Sequence, residues 1–175
     1  MEPNLISQYI ISIAAIVISI ASLIFAKRSW YQSNRPIVVA YVEENSMGIN
    51  SATFNLVVSN TGTRPAINVR LKAKEANIEQ IFEDKIDKVT QTTIKNCFKE
   101  DSEVALLKND AKIVTSFGSF EGTYPNRKGI KYDSWLPIQI EYKDLNSKTY
   151  KEILSLKIRG LDGFGGGIWE SANKK

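Results

Sequence analysis

The stretch Val57–Leu71, VVSNTGTRPAINVRL, decides the fold class. It opens on apolar, β-branched residues and then meets Ser59-Asn60-Thr61-Gly62, a run that breaks the chain as a turn. Asn60 and Gly62 are residue types that accept a tight bend. Pro65 stiffens the start of the next segment, at a place where no ladder donor is needed. From there Ile67, Val69, Leu71 and Ala73 alternate with Asn68, Arg70, Lys72 and Lys74, which reads as a half-buried strand. Strand, turn, strand is therefore the local grammar.

The same grammar extends in both directions. Ile37–Val42 is a continuous apolar run suited to a buried strand. Phe54, Leu56 and Val58 alternate with Thr53, Asn55 and Val57. Ile113, Thr115 and Phe117 mark a further strand, and Leu136, Ile138, Ile140 and Tyr142 alternate strictly. A polar turn over Lys143–Lys148 leads to Leu154, Leu156 and Ile158 on a returning strand. Short strands separated by turn signals predict a mainly β domain over 37–159, an immunoglobulin-like antiparallel β-sandwich of about seven strands. One segment breaks the pattern. Asn77–Val89, NIEQIFEDKIDKV, places Ile78, Phe82, Ile86 and Val89 at helical spacing, with Asn77 and Gln80 in the positions of a capping box and Asp84 and Lys88 at i and i+4. It predicts one inserted short helix covering an edge or end of the sandwich.

These segments also carry a resemblance. Val57–Leu71 resembles the strand-turn-strand signature of CARDB-like and related immunoglobulin-like domains, V-x-N-x-G-x-x-P-A-x-N-V, and Ile138–Tyr150, IQIEYKDLNSKTY, resembles their final hairpin. The leading helix followed by Ser33-Asn34-Arg35-Pro36 is similar to small uncharacterised membrane-anchored proteins of bacteria and phages. The resemblance spans most of the chain outside Asn77–Glu103. It implies a prokaryotic protein with a sandwich fold and brings no catalytic residues with it, because sandwiches host unrelated roles.

Leu5–Ala26, LISQYIISIAAIVISIASLIFA, holds no charge, Pro or Gly. As a helix its 22 residues extend ~33 Å, close to the ~30 Å hydrocarbon thickness of a bilayer. The expectation is a single transmembrane helix over 5–26, a juxtamembrane linker over 27–36, and the lipid bilayer as a partner. A cleaved signal peptide fits less well, because the chain begins Met-Glu-Pro-Asn without a basic region. Lys27, Arg28, Trp30 and Tyr31 follow the span as membrane-interface residues. Basic residues on that side alone, Lys27, Arg28 and Arg35, predict an N-terminus outside and a cytoplasmic domain at the inner (plasma) membrane. Gln8, Ser12, Ala15, Ser19, Ser22 and Ala26 recur at spacings of four and three and share one helical face. Small and polar residues on one face suit self-association of the helix. The competing reading is that Ser and Ala are simply common in such helices.

Composition limits the chemistry. There is no histidine and Cys97 is the single cysteine, which excludes His-based triads, an intrachain disulfide and thiolate zinc clusters. No metal site, cofactor or enzymatic activity is expected. After the apolar block the chain holds 23 basic residues against 18 of its 19 acids, an excess of five. That excess suits an anionic lipid surface but lacks the clustered stripe of a nucleic-acid binder. Gly118–Ser134 reads as a long loop with Phe120, Tyr124, Arg127, Lys128 and Lys131 as a possible partner or ligand site, or else as a surface hairpin with its aromatics tucked beneath. The glycine-rich end, 160–175, is expected to be a flexible tail. Together these features predict a membrane-tethered binding or scaffolding module for an unidentified protein or small molecule. The alternative is an oligomerising membrane effector, for example in anti-phage defence, whose sandwich senses a ligand and reorganises the helices.

Overall fold

Twenty-two uncharged residues without Pro or Gly leave their backbone groups one local means of satisfaction, the helical ladder. The computed structural model describes residues 3–123 and 125–159. Its first compact unit, 1–35, is formed by α1, Pro3–Ser33. The helix does not stop at Ala26: it runs through Lys27, Arg28, Trp30 and Tyr31, so the expected linker is helical as far as Ser33. Asn34 closes it, donating from its backbone N–H and from Nδ2 to the Trp30 carbonyl at 2.9 and 3.0 Å, and Pro36 disfavours helix in the residue before it. α1 is long and apolar enough to cross a membrane, and none of its apolar stretch is buried.

The second unit begins at Pro36. In chain order it holds β1 (Val38–Gly48), β2 (Ser51–Asn60), β3 (Ala66–Lys72), α2 (Glu75–Gln80), α3 (Lys88–Asn96), β4 (Glu103–Leu107), β5 (Lys112–Glu121), β6 (Lys128–Gly129), β7 (Ser134–Lys143) and β8 (Thr149–Ile158). Two four-stranded antiparallel sheets result, ordered β1-β2-β5-β6 and β4-β3-β7-β8. Their inward residues form one core. Phe54 and Leu56 from β2 and Leu136, Ile138, Ile140 and Tyr142 from β7 are all buried, as period two requires.

Three local readings differ from expectation. Along β3 the buried residues are Ala66, Val69 and Leu71, while Ile67 is only half-buried. The cause is a bulge: Asn68 adopts a positive φ of 54°, and the pairing of β3 with β7 shifts between Ile67 and Arg70. The single helix expected over Asn77–Val89 is instead two. Lys74, not Asn77, sits at the start of α2, and Phe82 leaves the helical path to form a β-bridge with Ile130. Asp87 then caps α3, its Oδ1 accepting from the Thr90 N–H at 2.8 Å. Val89, expected on the apolar face, is 76% exposed. Lys95 ties α3 to α2 through Glu75 and Glu79, at 2.8 and 3.2 Å. Finally, β4 and β6 are strands that the alternation did not announce, the second only two residues long.

Asn60 sits at the junction of the sheets and is 1% exposed. Its Oδ1 accepts from the N–H of Ile37 (3.1 Å) and of Gly62 (3.0 Å). Its Nδ2 donates to the carbonyls of Arg64 (2.7 Å) and Leu107 (3.2 Å). Its backbone N–H donates to Ala111 O, and its own carbonyl accepts from the Asp110 N–H. One side chain thus joins the start of β1, the turn after β2 and the end of β4. Asn60→Ala leaves four backbone groups without this partner, and the bonds to the Gly62 N–H and the Leu107 carbonyl are buried; an unsatisfied buried group costs ~1–3 kcal/mol. We expect a loss of about 2–4 kcal/mol, read as a fall in the denaturation midpoint of the full chain in detergent. A shift below about 0.5 kcal/mol, the range of ordinary surface changes, would contradict this role. Gly129 has φ +95°, and a Cβ there would lie 2.0 Å from Ser119 O. Gly129→Ala is expected to destabilise by about 1–3 kcal/mol.

Candidate functional site

The basic and aromatic residues singled out in the sequence meet at one end of the second unit, but not on a long free loop. β5 continues to Glu121, pairs with β6, and the Ile130 N–H donates to Ser119 O at 2.9 Å. Phe120 is half-buried between Phe54 and Tyr132, at ring separations of 6.2 and 5.3 Å. The Arg127 guanidinium lies over the Phe120 ring at 5.6 Å, and Lys131 Nζ donates to the Gln80 carbonyl at the end of α2, at 3.1 Å. Lys128 is exposed on β6. Tyr124 lies outside the described residues, as does the expected tail 160–175. Phe120 and Lys131 thus both make packing contacts at this end, Phe120 with Phe54 and Tyr132 and Lys131 with the end of α2.

In the first unit, Gln8, Ser12, Ala15, Ser19, Ser22 and Ala26 are all exposed. The Ser12 and Ser19 hydroxyls donate to the carbonyls of Gln8 and Ala15, at 2.9 and 2.8 Å. Their hydrogen-bonding needs are thus met inside the helix. Lys27 and Arg28 are exposed, and Trp30 and Tyr31 make an edge-to-face contact at 5.2 Å.

The feature that stands out lies between the sheets. A cleft of about 400 Å³ opens between β2 and β5 on one side and β3 and β4 on the other, with α3 along it. That volume falls in the range of small-ligand sites. Its floor is core: Leu56, Val58, Val69 and Leu71, all nearly fully buried. Its rim is polar, from Thr93, Asn96, Cys97 and Ser102. Ser102 Oγ donates to the Asn96 carbonyl, and Glu103 is held by Arg70 through a bond from Nε at 2.6 Å. Ile113 and Thr115 deserve comparison with their partners. They pair with Val58 and Leu56 and share that inward face, yet Ile113 is 40% exposed and Thr115 is also exposed. Inward positions of a sheet are ordinarily covered, so the core is incomplete here. Sequence reading missed this site because periodicity reports which face a residue takes, not whether an opposing strand covers it. Among the described residues, no group of three or more acids or cysteines is placed to hold a metal ion.

Cys97 lines this cleft and is half-buried. Burial pushes its thiol above the ordinary cysteine range, a small opposing effect coming from its own backbone. Its Sγ lies 3.4 Å from the Thr93 carbonyl, where a protonated thiol donates.

A family model described as "Domain of unknown function (DUF8453)" matches residues 5–162, a span that takes in most of α1 and both sheets. No curated protein matches the chain.

Because the thiolate is the reactive form, the raised pKa makes alkylation of Cys97 slow at neutral pH. We expect its rate with iodoacetamide, on the full chain in detergent, to keep climbing with pH after free cysteine has levelled off. A profile superimposable on that of free cysteine would contradict a desolvated thiol.

Proposed function

The chain belongs to the DUF8453 family, and we propose that it is a membrane-tethered binding module. α1 crosses the bilayer once, with the N-terminus outside. An immunoglobulin-like sandwich is presented at the cytoplasmic face of a prokaryotic plasma membrane, and the cleft between its sheets is the binding element. The observation that carries the tether is exposure: every large apolar side chain from Tyr9 to Phe25 is at least 54% exposed. In water that surface is unfavourable by ~25 cal/mol per Å², whereas in lipid it is solvated and the helix satisfies its own backbone. Lys27 and Arg28 on the C-terminal side alone favour a cytoplasmic domain. The strand order supports the sandwich reading. In the sheets β1-β2-β5-β6 and β4-β3-β7-β8, β1-β2-β5 matches strands A-B-E and β4-β3-β7-β8 matches C′-C-F-G of immunoglobulin-like folds, with the two-residue β6 added beside β5. Tethering raises the module's effective concentration at the membrane without any added contact.

The full chain, expressed in a bacterium, should stay with membranes through an alkaline carbonate wash and require detergent for extraction. Fused at its C-terminus, a fluorescent protein should glow and alkaline phosphatase should be inactive. The reverse pair of results would invert the orientation, and a chain that is soluble without detergent would remove the tether.

A further inference from the structure

β5 is the edge of its sheet over Lys112–Ser116. On its far side it meets β6 only at Phe120 and Glu121, and among the described residues no strand pairs with the earlier part. The direction of its free groups follows from the ladder. The Asn60 N–H bonds toward β5, to Ala111 O. Alternation with period two then turns the backbone groups of Val58 and Leu56 toward β5 and those of their partners Ile113 and Thr115 toward β2. The N–H and C=O groups of Lys112, Val114 and Ser116 are left facing the open side. Natural sheets blunt such edges with prolines, charged side chains, inward-pointing charges or a covering helix. Here Lys112 stands at the start of the edge and α3 packs near its far end, through Ile94 beside Gly118; between them Ile113 and Thr115 point inward and Val114 outward, with Ile113 and Val114 40% and 43% exposed. Directly beside it lies the apolar cleft.

These two observations, an open edge and an incomplete core next to it, have one common complement. We propose that an extended peptide from a partner protein adds to β5 as a new antiparallel or parallel strand. Its alternate side chains, small and apolar, fill the cleft over Leu56, Val58 and Ile113, and the intervening side chains face water. The added strand takes the place that strand D holds beside strand E in a four-stranded A-B-E-D sheet. This rests on the reading of the cleft as the module's binding element and names what the cleft takes. Size favours a peptide over a second copy of the chain. Five edge residues span ~17 Å, and with a sheet separation of ~10 Å the strip covers about 170 Å². A stable dimer needs about 800 Å² from each partner. Main-chain hydrogen bonds supply affinity in this mode and the cleft supplies selectivity.

The test uses the full-length chain in detergent, so that its outcome is independent of membrane residence. The probe is a capped peptide of alternating Thr and Val with a Lys at each end. It should bind saturably by fluorescence anisotropy and slow alkylation of Cys97. An added strand uses every second amide. N-methylation of one alternate set should therefore weaken binding at least about tenfold, since several ladder hydrogen bonds are lost together, whereas methylation of the other set leaves it within about twofold. Val114→Pro should abolish binding while keeping the thermal midpoint, because the missing N–H faces the open side rather than β2. Equal tolerance of both methylated sets would overturn strand addition and leave a simple apolar pocket. So would a wild-type chain whose β5 edges crosslink as a dimer. Cys97 protection that disappears on deleting residues 160–175 would assign the edge to the chain's own end and equally overturn the proposal. If no peptide binds while the carbonate wash still retains the chain, strand addition fails and the tether stands.

Discussion

A single buried carboxamide couples the two sheets. Asn60 closes β2, yet its Oδ1 and Nδ2 reach the start of β1, the turn that leads to β3 and the carbonyl at the end of β4. Without it, four main-chain groups at the head of the sandwich would lose a partner, and those of Gly62 and Leu107 would do so where water is excluded. The neighbouring geometry depends on the same residue. Asp110, at φ 54°, turns the chain so that its N–H meets the Asn60 carbonyl, and this fixes the register in which β5 lies along β2. That register decides which amides of β5 are used and which are left over. Which groups the open edge presents thus follows from the backbone bonds that Asn60 makes to Ala111 and Asp110.

A second polar cluster closes the β7–β8 hairpin at the same end of the sandwich. Asp144 is buried, and its Oδ1 accepts from the N–H groups of Asn146 and Lys148 at 2.8 and 3.0 Å. Its Oδ2 accepts from the Tyr150 hydroxyl at 3.1 Å. Tyr150 stacks on Tyr142 at 5.3 Å, and the Tyr142 hydroxyl reaches Glu152 and the Pro36 carbonyl. The polar turn Lys143–Lys148 is therefore more than a solvated bend: one carboxylate ties the return of β8 upon β7.

Where residues obey a strict period, the sequence was sufficient. Leu136 to Tyr142 alternate and are buried as alternation demands, and the charge-free run from Leu5 to Ala26 is helical throughout. Legibility failed where a non-local partner overrides local preference. Phe82 has helical spacing to Ile78, but its bridge to Ile130, 48 positions later, ends the helix. Ile67 alternates correctly on paper, but the bulge at Asn68 turns it from the core. The site was the least legible part. Phe120 and Arg127 attracted notice by composition, yet they pack on one another. The cleft is built from ordinary core residues whose distinction is a missing neighbour, and absence leaves no mark on a pattern of residue types.

The strand order also sets a timetable for synthesis. β1 and β2 are adjacent in the chain and can pair as soon as both emerge. Leu71, by contrast, pairs with Ile140, and the nearby Lys72–Glu141 ion pair joins residues 69 positions apart. At a translation rate of ~5–20 residues per second, β3 waits roughly 3 to 14 s for β7. The core-facing residues of β3 lack their β7 neighbours for that interval. The local pairing of β1 with β2 and the long-range pairing of β3 with β7 are thereby separated in time.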